Sequence, residues 1–156
     1  VKTEKHIKRS KEREYALQAL FAYEFTGDQW EKQLLLLEEH TNITGTKFVR
    51  KHLELYSRYK DQIDQEIIQK LRNWDFTRLA MVDKIILRMA VIELLYFKDI
   101  PPEVSLNEAI ELAKKFSTEK SDKFINGILD AVVNELKRDG KIQKTGRGLV
   151  SNITGG

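Results

Sequence analysis

Residues 85–97 read Ile85-Ile86-Leu87-Arg88-Met89-Ala90-Val91-Ile92-Glu93-Leu94-Leu95-Tyr96-Phe97, and only Arg88 and Glu93 interrupt the apolar run. There is no strand-like alternation in it. A helix that is apolar around most of its girth is buried on several sides, so this stretch predicts the central helix of an all-α domain. Arg88 and Glu93 each then need a partner or an outlet to the surface, because a buried charge is costly unless it is paired. Asp75 or Thr77 can cap the start of this helix. Asp99-Ile100-Pro101-Pro102 ends it, since proline cannot continue a helix and the residue before a proline disfavours the α region.

Working outward toward the C-terminus, Ser105-x-x-Glu108 has the form of a capping box and predicts a helix over 106–116, with Ala109, Ile110, Leu112 and Ala113 available for burial. A short break at 117–121 precedes a last helix over 122–138. It carries Phe124, Ile125, Ile128, Leu129, Val132, Val133 and Leu136 inward, with Gly140 in the position that follows a helix end. Toward the N-terminus, apolar residues recur at Ala16, Leu17, Leu20, Phe21 and Phe25, near the 3.6-residue period. Ser10 is placed as the cap of that helix, and Gly27 ends it. Asp28-x-x-Glu31 opens a second helix through Leu34 to Leu37. Asn42-Ile43-Thr44-Gly45 breaks the pattern. A third helical region runs over 47–72, with room for a bend near Asp61–Asp64. The sum is six or seven helices with short connections in a compact helical bundle. Residues 1–9 are expected to form a flexible basic arm, 10–139 the helical domain and 140–156 a mobile Gly-rich tail.

Composition narrows the chemistry. The 156 residues include no cysteine, which excludes a disulfide framework, a thiolate metal site and a cysteine nucleophile, and the lack of disulfides fits a cytoplasmic protein. No apolar stretch approaches the roughly 20 residues needed to span a bilayer. The start, Val1-Lys2-Thr3-Glu4-Lys5-His6, lacks the apolar core of a secretory signal. His6, His40 and His52 are scattered, and neither a phosphate-binding loop, a dinucleotide fingerprint nor a nucleophile elbow is present. Glu38-Glu39-His40 reads as a solvated helix face, Glu108 as the capping partner of Ser105 and Glu111 as a surface charge. The expectation is a protein with no catalytic residues, no cofactor and no metal.

Charge is distributed unevenly. The formal net charge of +3 divides into +3 over residues 1–15, −4 over 16–136 and +4 over 137–156. Basic ends on an acidic body suit a polyanion partner, and they equally suit solubility. Arg9 and Arg13 are four apart and share a helix face, with Lys2, Lys5 and Lys8 ahead of them. Cations along an arm and a helix start can track phosphates, and arginine stacks on unpaired bases. The second feature is Lys120-Ser121-Asp122-Lys123-Phe124-Ile125-Asn126-Gly127. A glycine inside a helix costs about 1 kcal/mol relative to alanine, and such a conflict between local preference and fold marks a functional or closely packed site. The reading with more weight for Gly127 is that it lets two helices approach closely; for Lys123 and Asn126 contact with RNA is at least as good a reading as a structural role.

These segments carry a resemblance. Arg13-Glu14-x-Ala16-Leu17-Gln18-Ala19-Leu20-Phe21, Asp83-Lys84-x-Ile86-Leu87-Arg88-x-Ala90-x-x-Glu93-Leu94, Pro102-Glu103-Val104, Asn107-Glu108-Ala109-Ile110-Glu111-Leu112-Ala113-Lys114 and Lys123-Phe124-Ile125-Asn126-Gly127-Ile128-Leu129-Asp130 occur in this order. Together they resemble the NusB family of bacterial transcription antitermination factors over residues 9–136. The resemblance implies two packed three-helix bundles and binding to boxA, a short single-stranded RNA element, together with NusE, a ribosomal small-subunit protein. It also implies action with RNA polymerase in read-through of terminators, notably in ribosomal RNA operons. Carried over, the RNA-binding residues are Arg9, Arg13, Arg88, Lys123, Phe124 and Asn126, with Lys8 and Lys11 as contributing neighbours, and Asp83 falls at the NusE interface. The chain departs from the family pattern in having Ser10, Lys11 and Glu12 between Arg9 and Arg13, and Lys120 where some relatives are acidic. Two other readings compete: a homodimeric helical interaction module without direct RNA binding, and an accessory domain of an RNA methyltransferase.

Overall fold

The computed structural model describes residues 7–43, 46–71 and 75–149. Among these, six α-helices follow one another: α1 (Arg9–Thr26), α2 (Trp30–Thr41), α3 (Lys47–Lys70), α4 (Met81–Tyr96), α5 (Pro102–Phe116) and α6 (Ser121–Arg138). Two short 3-10 turns, Phe76–Arg78 and Gly146–Leu149, complete the regular structure. The all-α expectation of six to seven helices holds. The chain divides into two compact units between Lys60 and Asp61, inside α3.

The first unit contains α1, α2 and the opening of α3. Helix α1 buries Ala16, Leu17, Ala19 and Leu20, and Leu34, Val49, Leu53 and Tyr56 add to the unit's core. The helix stops at Gly27, whose φ of 69° is left-handed and whose N–H donates to the Tyr23 carbonyl. Glycine enters that conformation without the penalty a Cβ imposes. Tyr56 is fully buried, and its hydroxyl donates to Glu24 at 2.8 Å while Lys60 sits 3.0 Å from the same carboxylate. Phe21 and Phe25, part of the apolar recurrence, lie instead on the exposed side, their rings in contact at 4.7 Å and tilted by 44°.

The second unit is built on α4. Every residue from Ile85 to Leu94 is buried, as the apolar run requires, and α5 and α6 both pack against this helix. Full burial of one such aliphatic side chain stabilises by roughly 1.5–3 kcal/mol. Glu93 accepts a hydrogen bond from the Ser105 hydroxyl at 2.9 Å. The far end of α3 joins the unit through Lys70, only 7% exposed, which lies 3.2 Å from Glu135 and 3.7 Å from Asp139 of α6.

The structure refines several expectations. Helix α1 begins at Arg9 with Lys8 as its N-cap, so Ser10 is inside the helix. Helix α5 begins at Pro102, not at 106; proline at the first helical position needs no partner for its missing N–H and has its φ preset. Ser105 is therefore a helix-interior residue bonded to Glu93, and no capping box forms with Glu108. Helix α3 is continuous through Asp61–Asp64. Residues 141–149, the described part of the expected mobile tail, make several contacts. The Lys144 ammonium donates to the carbonyls of Glu93 and Phe97 at 2.9 and 2.8 Å, capping an α4 end that has no basic residue of its own. The Thr145 N–H donates to the Lys98 carbonyl at 3.0 Å. Gly148 is buried against that same carbonyl, where a Cβ would collide with it. Residues 1–6 of the expected basic arm and 150–156 of the expected tail lie outside the described residues.

Candidate nucleic-acid interface

In the first unit the start of α1 carries Lys8, Arg9 and Lys11, all exposed. Arg9 and Arg13 are one helical turn apart, so their side chains point the same way. The structure supplies what the sequence could not show: both guanidinium groups sit over one ring, that of Phe48 in α3, at 4.3 and 5.2 Å from its centroid. A cation over an aromatic face gains roughly 0.5–2 kcal/mol, more when desolvated. The ring is in turn flanked edge-on by the buried His52 at 4.9 Å. Arg13 is buried beneath this arrangement at 3% exposure, while Arg9 keeps its outer face open. Lys11 lies 3.1 Å from Glu14 and 5.2 Å from the Tyr15 ring, so its charge is partly answered locally. Arg50, exposed in the first turn of α3, lies 5.5 Å over the Trp30 ring. Sequence reading missed both Phe48 and Arg50 as parts of a cationic–aromatic surface. No local signal marks either one, because their ring contacts join residues far apart in the chain.

In the second unit the start of α6 presents Lys123 and Asn126, three residues apart and both exposed, with Phe124 half-buried between them. Asp83 lies under this helix start. It is 4% exposed and accepts from the hydroxyls of Ser117 at 2.6 Å and Ser121 at 3.3 Å, and the two serines are themselves 2.7 Å apart. The carboxylate ties α4 to the α5–α6 junction. Asp83, the residue expected at a protein interface, is satisfied internally by hydroxyls from the adjoining turn.

Arg88, expected among the RNA-binding residues, also has its partner inside the unit. It is 4% exposed, and its Nε and one terminal nitrogen donate to the two oxygens of Asp64 at 2.6 and 2.9 Å. Its guanidinium also lies 5.4 Å from the Phe76 ring. A bidentate pair of this geometry is among the strongest charge-assisted contacts a side chain makes, and it fixes Arg88 as part of the interior. Among the described residues no group of three or more His, Asp or Glu is arranged to hold a metal ion. No described helix is long and apolar enough to cross a membrane.

An all-helical chain with cations stacked on rings at one helix start, and an exposed Lys and Asn at another, belongs to the class of helical nucleic-acid-binding proteins that hold their ligand by charge and stacking. The NusB family model matches residues 10–134, and the chain belongs to the NusB family. The transcription antitermination protein NusB of Chloroherpeton thalassium is 43% identical over 147 residues, which span 92% of this chain and 70% of that protein. Among solved structures, T. maritima NusB superposes at a TM-score of 0.77 with 36% identity, over 84% of this chain and 94% of that one. A crystal structure of antitermination factors NusB and NusE in complex with dsRNA matches at a TM-score of 0.74 and 27% identity, over 81% of this chain and 96% of that chain.

Proposed function

We propose that this chain is a non-catalytic antitermination factor of the cytoplasm. It binds boxA RNA together with the ribosomal protein NusE and works with RNA polymerase in ribosomal RNA operons. The observation that carries the reading is its family membership, joined to the likeness to a NusB that was crystallised with NusE and RNA. At the level of residues, Lys8, Arg9 and Lys11 offer exposed charge to phosphates. Arg13 shares the Phe48 ring with Arg9 and fixes that ring's cationic face. Lys123 and Asn126 offer an ammonium and a carboxamide, the groups that contact phosphates and unpaired base edges, with the Phe124 ring beside them. Arg88 and Asp83 serve this surface from inside, by holding α4 to its neighbours.

Fluorescence anisotropy of labelled boxA-type RNA, single-stranded and as a duplex, tests the reading with and without NusE at two salt concentrations. Saturable binding is expected, tightened by NusE and weakened by salt. Arg9→Ala and Lys123→Ala each weaken it and reduce the salt slope by about 0.7 on single strands. Absence of RNA binding even with NusE would overturn the proposal. One observation favours a protein contact besides: the exposed, adjoining rings of Phe21 and Phe25 in α1. Sedimentation across a concentration series tests whether a second copy covers them.

A further inference from the structure

Glycine occurs inside a helix for a small number of internal reasons, and the structure removes each of them at Gly127. The residue is the seventh of eighteen in α6, far from either cap. Its φ is not positive, so no turn requires it. A Cβ built on it meets nothing within 4 Å, so no neighbouring helix requires it, and the expected close helix–helix approach is corrected. The position is exposed. The chain nevertheless has the least favourable helix residue after proline there, where an added Cβ would meet nothing in the folded protein. What a missing Cβ still provides is access for something outside the chain to reach the helix backbone.

The surroundings say what that is. Lys123, Gly127, Asp130 and Asn134 recur at helical spacing on one face, with Asn126 beside Gly127, and all five are exposed. The exposed large apolar side chains of the described residues are Phe21, Phe25, Leu35, Leu36, Ile68, Val104 and Leu149, and none is on α6. The face therefore suits a polar, anionic ligand and does not suit the apolar side of another protein. We propose that Gly127 is the close-approach point of the RNA sugar–phosphate backbone, which crosses α6 there, packed directly against the helix main chain. Lys123, one turn before, meets a phosphate. Asn126 reaches a base edge or a ribose hydroxyl. Asp130, one turn beyond, repels a phosphate on its side, so the strand crosses the helix and does not follow its axis. The inference rests on the RNA-binding reading above and adds a residue and a path to it.

The test separates stability from binding. In Gly127→Ala the melting temperature rises by about 2–4 °C, while affinity for labelled boxA-type RNA, with NusE present, falls about tenfold. Gly127→Leu, also a good helix former, binds more weakly still. Asn134→Ala, two turns along the same face, leaves affinity at the parental value. If Gly127→Ala and Gly127→Leu bind RNA like the parent while Lys123→Ala does not, the close approach is wrong and the RNA-binding reading stands. A lowered melting temperature in Gly127→Ala would also overturn it, by showing an internal need for the glycine. Loss of NusE binding with RNA binding intact would assign the notch to protein and overturn the choice of RNA. A parent that binds no RNA removes the functional reading itself.

Discussion

Replacing Asp64 should cost more stability than replacing Arg88, and replacing both should cost little. The two side chains form a bidentate pair with contacts of 2.6 and 2.9 Å, at 5% exposure for Arg88 and 16% for Asp64. Asp64→Leu leaves a guanidinium in the interior without its carboxylate. Breaking a buried pair in this way costs roughly 3–5 kcal/mol, or about 6–20 °C in melting temperature for a chain of this size. Arg88→Met leaves a carboxylate that water can still reach in part, so about 1.5–3 kcal/mol is expected. The double variant Arg88→Met/Asp64→Leu buries no charge at the site and should fall within about 1 kcal/mol of the parent, since well-packed apolar replacements of buried pairs are often neutral. Urea unfolding of the four proteins measures all three differences, and RNA anisotropy on the same samples adds the functional readout. The double variant should bind RNA like the parent. If Arg88→Met unfolds like the parent but loses RNA, the guanidinium belongs to the ligand, and the assignment of Arg88 to the interior is refuted.

Two further predictions concern the segments that flank α4. Lys144→Ala removes both ammonium bonds to the Glu93 and Phe97 carbonyls; at a half-exposed site about 1 kcal/mol is expected, and hydrogen exchange should speed up over residues 141–149 and at the last turn of α4. Asp75 accepts from the Thr77 hydroxyl and N–H at 2.6 and 3.0 Å, and the hydroxyl bond, then the backbone one, holds its carboxyl below the ordinary 3.8. A carboxylate depressed in the folded state adds stability that is fully present above its unfolded value and is lost as pH falls through the folded one. The difference in urea midpoint between the parent and Asp75→Asn should accordingly be present at neutral pH and vanish in acid well below 3.8.

The central helix was legible because its signal is local: an apolar run broken only by Arg88 and Glu93 needs burial on most sides whatever the topology. Gly27 was legible for the same reason, since a left-handed helix end is a property of one residue. The errors fall where two local signals compete or where the deciding partner is distant. Ser105-x-x-Glu108 has the letters of a capping box, but Pro102 starts the helix three residues earlier, and a serine one turn in is free to serve Glu93. That Arg88 and Asp83 must be satisfied follows from the sequence. That their partners lie 24 and 34 residues away, at Asp64 and Ser117, does not. The basic segments were visible as charge. Their stacking on Phe48 was not, since a buried Phe in an apolar stripe looks like any other core residue.

The division of labour among the charges follows from burial. Each of the three inner polar anchors of α4 is closed internally: Arg88 by a carboxylate of α3, Asp83 by two hydroxyls at the α5–α6 junction, and Glu93 by the Ser105 hydroxyl. A group satisfied in this way has little left to give a ligand, but it fixes the helices that carry the exposed groups. Asp83 is the clearest case. By accepting from Ser117 and Ser121 it sets where α6 begins, and the start of α6 determines which face Lys123, Asn126 and Gly127 present. A shift of one residue there would rotate that face by about 100° and carry Lys123, Asn126 and Gly127 together away from their present direction. The buried carboxylate and the exposed lysine therefore belong to one arrangement, in which the interior determines direction and the surface supplies charge.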